Sequence, residues 1–116
     1  MTTPTFPTRS DTLTLPGPTG ALEVAVDLPE DDVAALPLTV IVCHPLPTEG
    51  GTMHNKVVTM TARSLRELGA TTVRFNFRGT GESEGDFDEG RGEVDDLRTV
   101  AAWVRELTDW LEDFFC

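Results

Sequence analysis

The segment Leu38-Thr39-Val40-Ile41-Val42-Cys43 restricts the possible folds more than any other part of the chain. It is short, β-branched and nearly continuous in apolar character. A strand with one wet face alternates apolar and polar residues. A strand that is apolar at successive positions is covered on both faces, as in a parallel sheet flanked by helices. A glycine-containing loop follows, and then a helical pattern over about 56–68, where Val57, Val58, Thr61, Ala62, Leu65 and Leu68 share a face. Asn55 is placed to cap the start of that helix and Gly69 to end it in a left-handed conformation. Thr71 to Phe77 reads as the next strand. A second helix is expected from near Glu93, with Glu93, Asp95 and Asp96 at its positive end and Val94, Leu97, Ala101, Val104 and Leu107 as its buried stripe. Strand, helix, strand, helix implies a right-handed parallel crossover.

The chain before this unit reads differently. Residues 1–10 are rich in Thr and Pro and are expected to be loose. Thr12 to Leu15 is a short strand, and Pro16-Gly17-Pro18-Thr19-Gly20 is a turn. In Leu22 to Leu28 the apolar residues alternate with Glu23, Ala25 and Asp27, so this strand buries one face and forms an antiparallel hairpin with its predecessor. Glu30-Asp31-Asp32 and Pro37 mark a loop. With 116 residues the chain is one domain at most. Its formal charge of -11 argues against a nucleic-acid surface. No run is apolar enough to cross a membrane, and Met1-Thr2-Thr3-Pro4 has neither the basic nor the apolar part of a signal peptide. Cys43 and Cys116 make no disulfide framework, so a cytoplasmic setting is expected.

Two loops carry the candidate chemistry. His44-Pro45-Leu46-Pro47-Thr48-Glu49-Gly50-Gly51-Thr52-Met53 joins the apolar strand to the first helix, and Arg74-Phe75-Asn76-Phe77-Arg78-Gly79-Thr80-Gly81-Glu82-Ser83 forms the next strand and its loop. Together they resemble the α/β-hydrolase superfamily, in particular the small bacterial hydrolases of the dienelactone-hydrolase-like kind. The resemblance spans about 11–106. It implies an α/β fold, a truncated hydrolase-like sheet with an N-terminal antiparallel hairpin and a parallel βαβ unit, about four strands and two helices in all. It also implies an ester- or acyl-hydrolysing ancestry.

By that resemblance the first loop is the oxyanion loop, formed by His44, Pro45, Leu46, Gly50 and Gly51. The Leu46 N–H would be the donor and His44 would pack beneath the loop, since Pro45 has no N–H to give. Gly50 and Gly51 allow a close approach to substrate. In the second loop Arg78, Gly79, Gly81 and Ser83 are structural. Gly81-Glu82-Ser83-Glu84-Gly85 matches the nucleophile pattern as text, but a nucleophile elbow is a strand, a sharp turn at the serine and an immediate helix. Here the strand ends early, the helix starts late, and two glutamates flank Ser83.

Other readings of the same residues fail on spacing. Gly79, Gly81 and Gly85 are one residue too long for a dinucleotide fingerprint. Asp86, Asp88 and Glu89 are out of register for a calcium loop, with Gly90 where a ligand belongs. His44, His54 and Glu49 match no zinc pattern, and no cofactor or metal is expected. Both histidines precede any serine elbow, whereas this fold orders its triad serine, acid, histidine.

The resemblance therefore accounts for no nucleophile, acid, catalytic histidine or second oxyanion donor in this chain. No catalytic residue is assigned, and a small ester or acyl substrate is expected only with a C-terminal half present. Val40, Ile41 and Val42 are expected on an open sheet edge, which predicts self-association. Residues 107–116 read as a divergent aromatic tail, with Leu107, Leu111 and Phe115 in helical register and Trp103, Trp110 and Phe114 alongside. The alternative function is a non-catalytic interaction protein that uses this tail and the open edge.

Overall fold

The computed structural model describes residues 2–45, 51–108 and 113–115, the last three and 107–108 by their backbone. The elements run β1 (Asp11–Gly17), β2 (Gly20–Asp27), β3 (Thr39–Val42), α1 (Lys56–Glu67), β4 (Thr71–Phe75), α2 (Arg91–Thr108) and β5 (Asp113–Phe115). They form one mixed sheet in the order β1-β2-β4-β3-β5. β1 and β2 are an antiparallel hairpin, β2 pairs antiparallel with β4, and β3 pairs parallel with β4 through the α1 crossover. The α/β architecture is thus that of a partial hydrolase-like sheet, with the expected hairpin and βαβ unit.

The unbroken apolar run of β3 has the expected cause. Val40 and Val42 pack with Val58, Ala62 and Ala70 on the α1 side. Ile41 and Cys43 pack on the other side with Leu22, Val24, Val26, Val73, Phe75, Val100 and Val104. Successive side chains enter opposite layers, which is why Val40 to Cys43 are apolar without a break. The amino-terminal segment has neither helix nor strand before β1, yet it is held at two points. Trp103 Nε1 donates to the Pro4 carbonyl at 2.9 Å, and the Phe6 ring lies 5.2 Å from the Trp103 ring.

Both helices close as capping chemistry dictates. Asn55 Oδ1 accepts from the Val57 N–H at 3.0 Å. At the other end Gly69 adopts φ +107°, its N–H donates to the Arg66 carbonyl, and the Ala70 N–H donates to the Leu65 carbonyl, a Schellman closure. Glu93, in the first turn of α2, reaches back to accept from the N–H groups of Gly90 (3.0 Å) and Asp88 (2.8 Å).

Several sequence expectations require correction. β4 ends at Phe75 rather than Phe77, because the Phe77 N–H donates to a side chain, His44 Nε2, instead of a neighbouring strand. Val57 and Leu68 of the expected α1 stripe are exposed. Val94 is exposed as well, and α2 buries Glu93, Asp96, Val100, Trp103 and Val104. Its first turns face the polar loop after β4 rather than the apolar core. Leu107, Trp110, Leu111, Phe114 and Phe115 lie outside the described side chains. The β3 edge is not open: Val40, Ile41 and Val42 pair in parallel with Asp113, Phe114 and Phe115. Backbone N–H and C=O groups on an apolar edge are costly to leave unpaired, and three tail residues satisfy them.

The β4–α2 loop is fastened by a buried ion pair. Arg78 Nη2 and Nε donate to the two carboxylate oxygens of Asp96 at 2.9 and 3.1 Å, and the Arg78 backbone N–H adds a third bond at 3.0 Å. Arg78 Nη2 also donates to the Gly92 carbonyl at 2.7 Å. A side chain at position 92 would collide with the guanidinium, so glycine there admits Arg78 to the helix end. The hydrogen bonds that Arg78 donates to Asp96 hold the guanidinium pKa above its ordinary value against desolvation. Asp96→Ala, which strands the Arg78 charge, is expected to cost about 3–5 kcal/mol in urea unfolding. A loss below about 1 kcal/mol would place the pair among solvent-screened contacts instead.

Candidate functional site

The loops after β3 and β4 lie at the same end of the sheet, because the two strands are parallel neighbours. His44, just past β3, is buried. Its Nε2 accepts from the Phe77 N–H at 3.0 Å, which leaves the ring proton on Nδ1, and Nδ1 donates to the Pro45 carbonyl at 2.6 Å. The Phe77 ring meets it edge-on at 4.9 Å. Desolvation pushes the imidazole pKa below its ordinary value, opposed by the bond to Pro45. His44 therefore ties the start of one loop to the start of the other as a neutral ring. Pro45 is exposed and Gly51 is buried. Leu46, Glu49 and Gly50 lie outside the described residues.

The far end of the first loop is gripped from below by β4. The Met53 N–H donates to Asn76 Oδ1 at 2.8 Å, and the Met53 carbonyl accepts from Arg74 Nη1 at 2.8 Å. Positions 74 and 76 share one face of the strand, so both reach the backbone of the same residue, one at its N–H and one at its carbonyl. β2 supplies the carboxylate acceptors. Asn76 Nδ2 donates to Glu23 Oε1 at 2.7 Å, and Arg74 Nη2 donates to Asp27 Oδ2 at 3.1 Å. Glu23 and Asp27 are thus not a merely solvated face of the hairpin. They orient the two residues that hold Met53.

The second loop is tied to the same residues. Ser83 is buried. Its Oγ donates to the Asn76 carbonyl at 2.6 Å and accepts from the Glu23 N–H at 2.9 Å. Glu84 completes the attachment to β2: its N–H donates to the Ala21 carbonyl at 2.8 Å, and its Oε1 accepts from the Ala21 N–H at 2.7 Å. The Glu82 N–H donates to Glu23 Oε1 at 2.9 Å. Gly81, at φ +53°, passes so close to the Asn76 amide and the Glu23 carboxylate that a Cβ would overlap them. Gly79 and Arg78 precede this turn, and the helix begins only at Arg91.

Beside these loops a cleft of about 470 Å³ is lined by Val42, Cys43, Pro45, Asn55, Val57, Val58 and Thr61. It is mostly apolar. Among the described residues, no group of three His, Cys, Asp or Glu is arranged to hold a metal ion, and no helix is long and apolar enough to cross a membrane. Sequence reasoning singled out the histidine, the glycines and the serine but missed Glu23, Met53, Arg74 and Asn76. The available signal was the period-two placement of Thr72, Arg74 and Asn76 opposite buried Val73 and Phe75, matched by Glu23 and Asp27 on β2.

No protein-family model matches the chain. Among solved structures it is similar to a lidless α/β serine hydrolase from Xanthomonas campestris, at 66% identity and a TM-score of 0.89, over 96% of this chain and 53% of that one. It is also similar to an α/β serine hydrolase homologue from Coxiella burnetii, at 45% identity and a TM-score of 0.84, over 95% of this chain and 54% of that one. An uncharacterized protein of Rickettsia prowazekii is 44% identical over 66 residues, 57% of this chain and 28% of that protein. The chain thus spans about half the length of these solved structures. The strand order, the two tethered loops and these likenesses agree: the chain belongs to the α/β-hydrolase superfamily and corresponds to the amino-terminal portion of the fold.

Proposed function

We propose that this chain carries the charge-stabilising half of an α/β-hydrolase site for ester or acyl bonds, and that residues 1–116 alone do not hydrolyse them. One observation carries the reading. The Ser83 hydroxyl and the His44 imidazole are each engaged with backbone groups, Ser83 with Asn76 and Glu23, His44 with Phe77 and Pro45. A nucleophilic serine needs a base within hydrogen-bond reach of its hydroxyl. Ser83 instead gives its proton to a carbonyl. His44, with Nε2 already accepting an N–H, has no lone pair free to take a proton from substrate or serine.

What this half offers is a cradle for charge. Attack on a carbonyl places negative charge on its oxygen, and preorganised backbone N–H groups stabilise that charge. The loop that starts at His44-Pro45 is the source of such a donor, with Leu46 as the first residue able to provide one. The described residues at its two ends, His44 and Met53, are held by hydrogen bonds to residues of β4 and its loop. A second reading, a non-catalytic interaction protein, is favoured by the exposed apolar residues Val57 and Met60 on α1 and Leu68 just past its end.

A fluorophosphonate probe is expected not to label the purified chain, and p-nitrophenyl esters are expected to turn over no faster than in buffer. Labelling that disappears in Ser83→Ala would overturn this. Ser83→Ala is instead expected to destabilise the fold by about 1–3 kcal/mol, since the Asn76 carbonyl and the Glu23 N–H lose a shared partner. The lowered pKa of His44 has its own signature. As pH falls below about 6.5, the unfolded chain takes up a proton that the folded chain resists, so stability drops. Above that pH the contribution is complete. Urea unfolding between about pH 7 and pH 5 should show a steeper loss for the native chain than for His44→Gln. Equal slopes would mean that His44 is protonated as readily in the folded chain as in the unfolded one.

A further inference from the structure

Helix α1 starts beside the His44 loop and ends just before β4, so its carboxyl end lies at the opposite end of the sheet from the two tethered loops. There it meets the connection between β2 and β3, whose backbone is fixed in place. The Val33 N–H donates to the Glu30 carbonyl at 3.0 Å, and the Leu36 N–H donates to the Gly69 carbonyl at 2.9 Å. Gly69 lies so close to the Ala34 carbonyl that a Cβ would overlap it. A cavity of about 400 Å³ at this junction is lined by Glu30, Val33, Arg63, Arg66 and Glu67. Two of the charges satisfy each other, since Arg63 Nε donates to Glu67 Oε1 at 3.1 Å. The other two do not. Among the described residues, the Arg66 and Glu30 side chains make no ion pair, either with each other or with another side chain. Arg66 is half-buried, and its Nε is fully buried without a hydrogen-bond acceptor. Its terminal Nη groups are not buried, so the guanidinium lies against the fold and keeps its outer edge accessible.

We infer that this cavity binds a small zwitterion, with its carboxylate on the Nη edge of Arg66 and its ammonium group on Glu30. The arrangement of charge selects that class. A guanidinium edge receives a carboxylate through two parallel N–H bonds. A simple anion would satisfy Arg66 but would face the carboxylates of Glu30 and Glu67 in the same cavity. A simple cation would satisfy Glu30 but would face Arg66. A ligand with both signs meets both unpaired groups and brings no like charges together. Val33 gives the cavity an apolar wall, which suits the aliphatic part of such a molecule. Exposed ion pairs gain little because two long side chains must be ordered to form them. Here the Arg66 stem is already packed and the backbone of the Glu30–Val33 turn is already bonded, so less is lost when a ligand arrives. The site is remote from the His44 loop and independent of its charge-stabilising role.

The test is titration of the native chain with L-leucine, ε-aminocaproate, caproate and hexylamine, followed by the amide NMR signals. The first two probes carry both charges, set close together in one and far apart in the other. The last two carry one charge each. The expected result is a saturable shift at Val33 and Arg66 with at least one zwitterion. Caproate and hexylamine should bind at least about tenfold more weakly, since each forfeits one charge-assisted pair. Arg66→Gln and Glu30→Gln should each weaken the zwitterion by about the same factor. Lys56→Gln, at the other end of α1, should leave its binding unchanged. Neither Arg66 nor Glu30 has a side-chain partner in the fold, so the circular-dichroism melts of both variants should match that of the native chain. Absence of a saturable shift with both zwitterions would overturn the proposal. Caproate binding as tightly as the zwitterion would overturn it in favour of a plain anion site, and hexylamine doing so would favour a plain cation site. A melt lowered alike by Arg66→Gln and Glu30→Gln would also overturn it, by showing that the two side chains pair with each other.

Discussion

Asn76 is the residue on which the arrangement of both loops depends. Its Oδ1 faces the Met53 N–H and its Nδ2 faces the Glu23 carboxylate, so only one orientation of the amide satisfies both. Its backbone N–H donates to the Glu23 carbonyl, and its own carbonyl accepts the Ser83 hydroxyl. One buried side chain at the end of β4 thereby joins the loop after β3, the loop after β4 and the hairpin strand β2. In a low-dielectric setting such a network is stable only when every member is satisfied. That explains why Gly81 must pass beside it without a Cβ and why Ser83 is committed to the backbone.

The same logic separates two kinds of polar residue in this chain. Arg74, Asn76, Glu23 and Asp27 hold one another and the Met53 peptide, and Arg78 with Asp96 holds the next loop to α2. Their work is positional: they fix the ends of the loops to the sheet and to α2. Arg63–Glu67 and Arg98–Asp95, by contrast, are exposed helix-surface pairs and contribute little to stability. The excess of acid over base is thus no guide to the site. The carboxylates that shape it are few, with Glu23 and Asp27 half-buried and Asp96 fully buried.

Much of the architecture could be read from residue order. The double-sided burial of β3 followed from an unbroken apolar run, the α1 ends from Asn55 and Gly69, and the hairpin from alternation about Gly17 and Gly20. The misreadings share one physical origin, which is that periodicity records where a residue points and not what it meets. Val57 and Leu68 were placed on the buried stripe of α1, yet the sheet covers only the neighbouring arc. Val94 was placed inside, yet the first turn of α2 faces the Arg78 loop. The β3 edge was expected to be open, yet Asp113–Phe115 pairs with it. No local pattern announces a partner so distant in sequence.

The candidate site divides in the same way. Residue identity alone excludes Pro45 as an N–H donor and, through the distance of Ser83 from any following helix, argues against a nucleophile elbow. Those conclusions are local, because they depend on covalent chemistry and on the spacing of neighbours along the chain. The engagement of Ser83 with Asn76 and Glu23, the neutral tautomer of His44 and the grip on Met53 are not local. Each is a hydrogen bond between strands or loops far apart in sequence, and which donor meets which acceptor is settled only when β2, β3 and β4 come into register.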